Sequence, residues 1–147
     1  MRGLMDVQTN MGPLITTGTG NGEIAMKIDR VEIIPVNIPY KVPFRVSYGG
    51  ITSGSYIILR ILTDDGVDGV GSSIGFGKIG LTRESAMAQM KSIASGLLLG
   101  QDSLNTEAIL SRLDAVVPGN WRIKAHFDYA LYDLKGKGVE GRQRGLR

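Results

Sequence analysis

Residues Ser55 to Ser73 read SYIILRILTDDGVDGVGSS. Tyr56 to Thr63 is rich in β-branched and aromatic side chains, Asp64-Asp65-Gly66 is a turn signal, and Val67 to Ser73 resumes an extended pattern. An Asp-Gly between two such runs marks a hairpin, because glycine accepts the positive φ of a tight turn without a Cβ clash. The first arm is apolar on both faces except at Arg60, so cover is expected on both sides. The chain before this hairpin reads as a strand and a loop that feed it. The chain after it reads as helices that pack on it.

Working upstream, Lys27 to Ile38 (KIDRVEIIPVNI) is a strand candidate with Ile28, Val31, Ile33 and Ile34 as its apolar residues. Pro35 has no N–H for a ladder and so points to an edge position or a bulge. Pro39 to Gly50 (PYKVPFRVSYGG) reads as a loop stiffened by two prolines, with Tyr40, Phe44 and Tyr48 alternating roughly with Val42 and Val46. Apolar loop residues need somewhere to go: either they plug the sheet edge, or they line a lid over a ligand site. Residues 1–25, with five glycines and four threonines and no clear period, read as a flexible leader. Met26, directly before the first strand-like run, is a plausible natural start.

Downstream, Arg83 to Leu99 carries Met87, Met90, Ile93, Ala94, Leu97 and Leu98 at helical spacing, with Thr82 as N-cap and Gly100 as terminator. The methionines on that stripe are core filler rather than a ligand box. A second helix is expected from Leu104 to Val117 with Ser103 as cap, broken by Pro118-Gly119. Asn120 then caps a third, Trp121 to Lys137, whose apolar residues run almost all the way round. Such a helix has to be buried on more than one side. A three-stranded sheet and two other helices supply too little cover, which points to a missing partner surface.

Composition narrows the class. The chain has 147 residues, 42% hydrophobic and 21% charged, as in an ordinary soluble globular domain. The absence of cysteine removes disulfide frameworks and thiolate metal sites and fits a reducing cytoplasm. No apolar run is long enough for a membrane span, and the first residues lack a signal-peptide pattern. The net charge of +3 is local: Lys135, Lys137, Arg142, Arg144 and Arg147 against Glu140 give the last residues a surplus of four. No aromatic side chain is interleaved there for base stacking, so nucleic-acid binding is not expected.

Candidate chemistry is sparse. Gly75, Gly77 and Gly80 match a G-x-G-x-x-G pattern, which works only where the glycines turn from a strand directly into a helix within a parallel βαβ unit. Here the helix starts after Thr82 and no second parallel strand follows, so a nucleotide site is disfavoured. A Walker A loop fails because Ile79 follows Lys78 and Ser72 stands where the first glycine belongs. His126, the only histidine, reads as structural, and Asp128 and Asp133 do not share a helical face. No catalytic residue and no metal ligand can be assigned.

Three stretches carry a resemblance: MKIDRVEIIPVNIPYKVPF from Met26, the hairpin ILRILTDDGVDGVG, and the helix AHFDYALYDLKGK. Their order is similar to the N-terminal capping domain of the enolase superfamily, in its mandelate racemase and muconate lactonizing branch, over roughly Met26 to Lys137. The sequence departs from the family at Ser72, where many members carry an acid, and after Lys137, where the family's proline and Leu-Gly-Gly stretch is absent.

The resemblance implies an α+β fold, a three-stranded antiparallel meander followed by a three-helix bundle. It divides the chain into leader (1–25), capping domain (26–137) and a basic tail (138–147) where a barrel would begin. In the family, Mg²⁺ ligands and Lys or His bases stand on that barrel and abstract a proton next to a carboxylate. A barrel needs on the order of 200 residues, and ten follow Lys137. This chain is therefore expected to be truncated, to hold no cofactor, and to be inactive alone. Its expected partners are a barrel domain or a second copy through the third helix, with a small carboxylate substrate in the parent family. By position, two loops would close over the barrel mouth, Pro39 to Ser53 and Ser72 to Thr82. Tyr40, Val42, Phe44, Val46, Tyr48, Ile74 and Phe76 are the expected substrate-capping residues. The competing expectation is a free-standing binding or oligomerisation module.

Overall fold

The computed structural model describes residues 5–8, 25–47, 49–74 and 81–145. The expected hairpin is present: β3 (Gly49–Thr63) and β4 (Asp68–Ile74) pair antiparallel from Leu62↔Asp68 to Tyr56↔Ile74. Gly66 takes φ +85° at the turn, where a Cβ would be strained, and the Thr63 hydroxyl donates to the Val67 carbonyl at 2.7 Å. β2 (Ile28–Val46) pairs with the other side of β3, which completes the three-stranded meander.

A fourth strand, β1 (Met5–Gln8), lies within the stretch expected to be a leader and pairs antiparallel with Arg30 to Ile33 of β2. It stops short of Pro35, so the described residues leave the outer edge of β2 open where proline has no N–H to offer. The order of the sheet is β1-β2-β3-β4.

Val31, Ile33, Ile57, Leu59 and Ile61 alternate along β2 and β3 onto one face and are buried. They share one cluster with Ala86, Met90, Leu98, Ile109, Leu113, Phe127 and Leu131 from the helices. The opposite face carries Ile58 and Leu62 half-buried, with Arg30, Glu32, Arg60 and Asp68. The first arm of the hairpin was expected to be covered on both faces. Among the described residues only one face has a helical layer.

α1 spans Arg83–Ile93, and the Thr82 side chain accepts from the Ser85 N–H as an N-cap. The helix gives way at Ala94–Leu98 to a wider π-helical turn closed by Leu99 N–H to the Ala94 carbonyl, so the expected single helix to Leu99 is two pieces. α2 (Thr106–Val116) starts later than expected, behind Asn105. Ser103 does not cap it: Ser103 is buried, and its hydroxyl donates to the Met26 carbonyl at 2.9 Å. That bond belongs to a zipper in which Ile28 N–H donates to Gln101, Gly100 N–H to Ile28, and Ser103 N–H to Met26.

α3 (Trp121–Gly145) is longer than the expected Trp121 to Lys137. In these added turns Gly138 packs beside the end of the Met26 side chain, which a Cβ there would have to push aside. Upstream, α3 lies on β4 at the two glycines Gly69 and Gly71, which face it without side chains. Ile123, Phe127, Ala130, Leu131 and Leu134 point into the core, while Trp121 (67%) and Tyr129 (56%) are exposed. Its apolar girth is thus met on one side and left open on the other.

Candidate functional site

The β2–β3 ladder runs unbroken from Arg30↔Leu62 to Pro39↔Ser53, then lapses, and resumes at Phe44↔Ile51 to Val46↔Gly49. Residues Tyr40 to Pro43 therefore face Thr52 alone, a bulge that places Pro43 where no ladder N–H is required. The expected loop from Pro39 to Gly50 is instead the outer part of a long hairpin. The alternation of aromatic and β-branched residues, read as loop composition, is strand alternation.

Of the residues expected on the capping loops, Val42 is 78% and Phe44 47% exposed. They do not plug the sheet edge. Tyr40 and Val46 are half-buried, and the Tyr40 and Phe44 rings meet at 5.3 Å. Ile74 ends β4 opposite Tyr56. Tyr48 and Phe76 lie outside the described residues, as does the glycine pattern Gly75, Gly77 and Gly80.

The neck of this hairpin is held on both faces. On the helix side, Arg83 Nη1 at the start of α1 donates to Asn37 Oδ1 at 2.7 Å and to Ser55 Oγ at 3.3 Å, and Asn37 and Ser55 are direct cross-strand partners. On the other side the hydroxyls of Tyr40 and Tyr56 lie 3.3 Å apart. The hydrogen bond to Tyr56, then partial desolvation, pushes the Tyr40 phenol above its ordinary value. A Cβ on Gly54 would lie 2.4 Å from the Tyr56 ring and 2.7 Å from the Tyr40 hydroxyl, so glycine makes room for the pair. Sequence reading missed Arg83, Asn37, Ser55 and Tyr56. The one available signal was a basic residue in the first turn of a helix, at the positive end of the dipole where cations are disfavoured.

The remaining candidates are structural. His126 is fully buried between α3 and the sheet, and its Nδ1 donates to the Arg122 carbonyl at 2.7 Å. Burial lowers its pKa, against smaller opposing effects of the Arg122 and Ile57 carbonyls. Asp133 accepts from the Val70 N–H at 2.9 Å and pairs with Lys137 at 2.8 Å. Asp128 lines a shallow groove of about 430 Å³ between α2 and α3, beside Trp121 and the Lys124–Asp114 ion pair. The sheet is antiparallel throughout, so the parallel strand pair that a dinucleotide site requires is not among the described strands.

The described residues do not fit a Mg²⁺ site. No three of their His, Asp and Glu side chains gather for a metal. The acids that do approach each other are already neutralised: Glu32 by Arg30 (3.2 Å) and Arg60 (3.3 Å), Asp68 by Arg60 (2.7 Å), Asp133 by Lys137. Among the described residues no helix is long and apolar enough to cross a membrane.

The model of the mandelate racemase/muconate lactonizing enzyme N-terminal domain matches residues 28–141, from the first residue of β2 to within α3. This chain belongs to that family. N-succinyl-L-Arg/Lys racemase of Bacillus cereus is 31% identical over 113 residues, 76% of this chain and 31% of that protein. A chloromuconate cycloisomerase of Pseudomonas putida is 31% identical over 120 residues, 78% of this chain and 31% of that protein. The crystal structure of muconate lactonizing enzyme from Pseudomonas fluorescens, complexed with muconolactone, superposes with a TM-score of 0.67 at 28% identity over 79% of this chain and 32% of that one. The chain thus spans about a third of the length of these relatives. The family match runs through Lys137 and on to Gly141, in agreement with the extended α3.

Proposed function

We propose that these residues form the substrate-capping part of a racemase- or cycloisomerase-type enzyme and turn nothing over by themselves. The observation that carries this reading is the β2–β3 hairpin, which projects beyond the helical layer with Val42 and Phe44 exposed on a fixed neck. Exposed apolar side chains on a strand pair are well suited to closing over a small carboxylate and excluding water. Tyr40, Val42, Phe44 and Val46 of the hairpin are assigned to that role, with Tyr48, Ile74 and Phe76 assigned by position in the sequence. The proton-transfer groups and a Mg²⁺ site belong, in this reading, to a barrel domain that these residues cap.

The test is isotope exchange. N-acyl amino acids, dipeptides and muconolactone are incubated with the purified chain and Mg²⁺ in D₂O, and α-proton exchange is followed by NMR. No exchange is expected, and Mg²⁺-dependent exchange by this chain would overturn the reading. The capping role is tested by grafting residues 38–54 into a full-length racemase relative, where a changed substrate preference at retained kcat is expected.

One observation favours a second reading, a free-standing oligomerisation module: Trp121, Tyr129 and Tyr132 leave the outer side of α3 apolar and exposed. In the first reading that surface meets a barrel, in the second another copy. A concentration-dependent dimer that Tyr129→Glu dissociates would favour the second.

A further inference from the structure

The hairpin has two mechanically different parts. Its neck, Asn37–Pro39 against Ser53–Ser55, keeps the ladder and is gripped on one face by Arg83 and braced on the other by the Tyr40–Tyr56 hydroxyls. Its outer part, Phe44–Val46 against Gly49–Ile51, keeps its own ladder. Between them the backbone of Tyr40 to Pro43 has no ladder partner. The described contact that bridges the gap is one ring pair, Tyr40 with Phe44.

We propose that Arg83 is a positioning residue for this hairpin: it clamps the neck to α1, so that the outer hairpin swings as a unit about the Tyr40–Pro43 bulge. A planar guanidinium suits the task, since one nitrogen reaches across the Asn37–Ser55 pair and holds both strands at once. Arg83 is also only about one-quarter exposed and makes just a long 3.9 Å contact with Glu84, so its short bonds go to the neck and not to its own helix. Because Arg83 opens α1, the grip sets the angle between the hairpin and the helical layer. Among the described residues the bulge has no ladder bonds to break and only the Tyr40–Phe44 contact to part, so it is the place for motion. The inference concerns the hairpin of this chain and stands apart from the capping reading.

Amide hydrogen exchange on the intact chain tests it, with wild type, Arg83→Gln, Arg83→Lys and Asn37→Ala compared. In wild type, segments 36–38 and 53–56 should exchange slowly, and segments 44–46 and 49–51 at least about tenfold faster, as separate opening units. Arg83→Gln should speed the neck about tenfold or more, with residues 57–61 and the melting temperature unchanged. Asn37→Ala should produce part of that effect and add little to Arg83→Gln, because the two remove one shared interaction. Arg83→Lys should fall between, as a single point donor. Equal exchange of neck and outer hairpin in wild type would remove the hinge. A neck indifferent to Arg83→Gln, or acceleration spread equally into residues 57–61, would remove the clamp. Failure of substrate capping in the grafted enzyme would leave these exchange patterns intact.

Discussion

A Cβ added to Gly71 of β4 would lie 2.1 Å from the carbonyl oxygen of His126 in α3, and one on Gly69 equally close to that of Ala130. The helix therefore rests on the strand backbone to backbone, and the two glycines, one face-repeat apart, match one helical turn. Both neighbours are main-chain atoms, which cannot rotate aside.

Gly71→Ala should destabilise the fold at or above the upper end of the ~1–3 kcal/mol that overpacking costs. Urea unfolding checks this, with Gly136→Ala as the control. A Cβ at Gly136 meets nothing within 4 Å, so that change should stabilise α3 by roughly 0.5–1 kcal/mol.

Burial of His126 lowers its folded pKa below the unfolded value of about 6.5, so the unfolded chain binds the proton more readily. Its neutral form is favourable above about pH 6.5, and stability should fall as pH drops below that value toward the folded pKa. Melting temperatures between pH 7.5 and 5 should show this slope, and His126→Gln should flatten it even if it lowers stability throughout.

The carboxyls of Asp68 and Asp133 are held below their ordinary value, chiefly by Arg60 and Lys137 respectively. A depressed carboxyl pKa contributes stability above the unfolded value near 4, and that contribution fades as pH falls through the folded pKa. Arg60→Gln should therefore raise the midpoint pH of acid unfolding. High salt should blunt the difference, since these side chains are partly exposed.

Phe44→Ala should cost less than about 1 kcal/mol, because it loses one tilted ring contact and no core burial. A loss as large as the ~3–5 kcal/mol of a core phenylalanine would mean that the ring is buried in solution.

Tyrosine absorbance should titrate with a component above the usual phenol range from Tyr40, which bonds Tyr56, and another from Tyr132, which bonds Glu107. Tyr56→Phe should lower the first toward the ordinary value and leave the second. Each raised phenol helps the fold below the unfolded pKa near 10, and that help is lost as pH climbs through the folded value.

Much of this architecture was legible because local chemistry set it. Asp64-Asp65-Gly66 placed the turn, Thr82 placed the start of α1, and the apolar alternation in β2 and β3 placed the sheet. What escaped was decided at a distance. Ser103 looked like a cap by its neighbours, yet its hydroxyl goes to Met26, 77 residues away. The end of α3 was set at Lys137 with a basic tail beyond, whereas the helix runs on to Gly145 and Gly138 packs beside Met26. The proposed capping residues came from composition and the family resemblance. The Arg83 bonds did not: a basic residue in the first turn of α1 hints at a partner, but nothing local names Asn37 and Ser55.

Gly138 packs beside Met26, so the start of the meander and the late turns of α3 meet at one corner. A unit gripped at one corner is a cassette: it can be lifted out and set into another host at one seam. The exposed hairpin would then travel with it, so exchanging residues 26–141 between relatives would transfer the hairpin and its neck in one step.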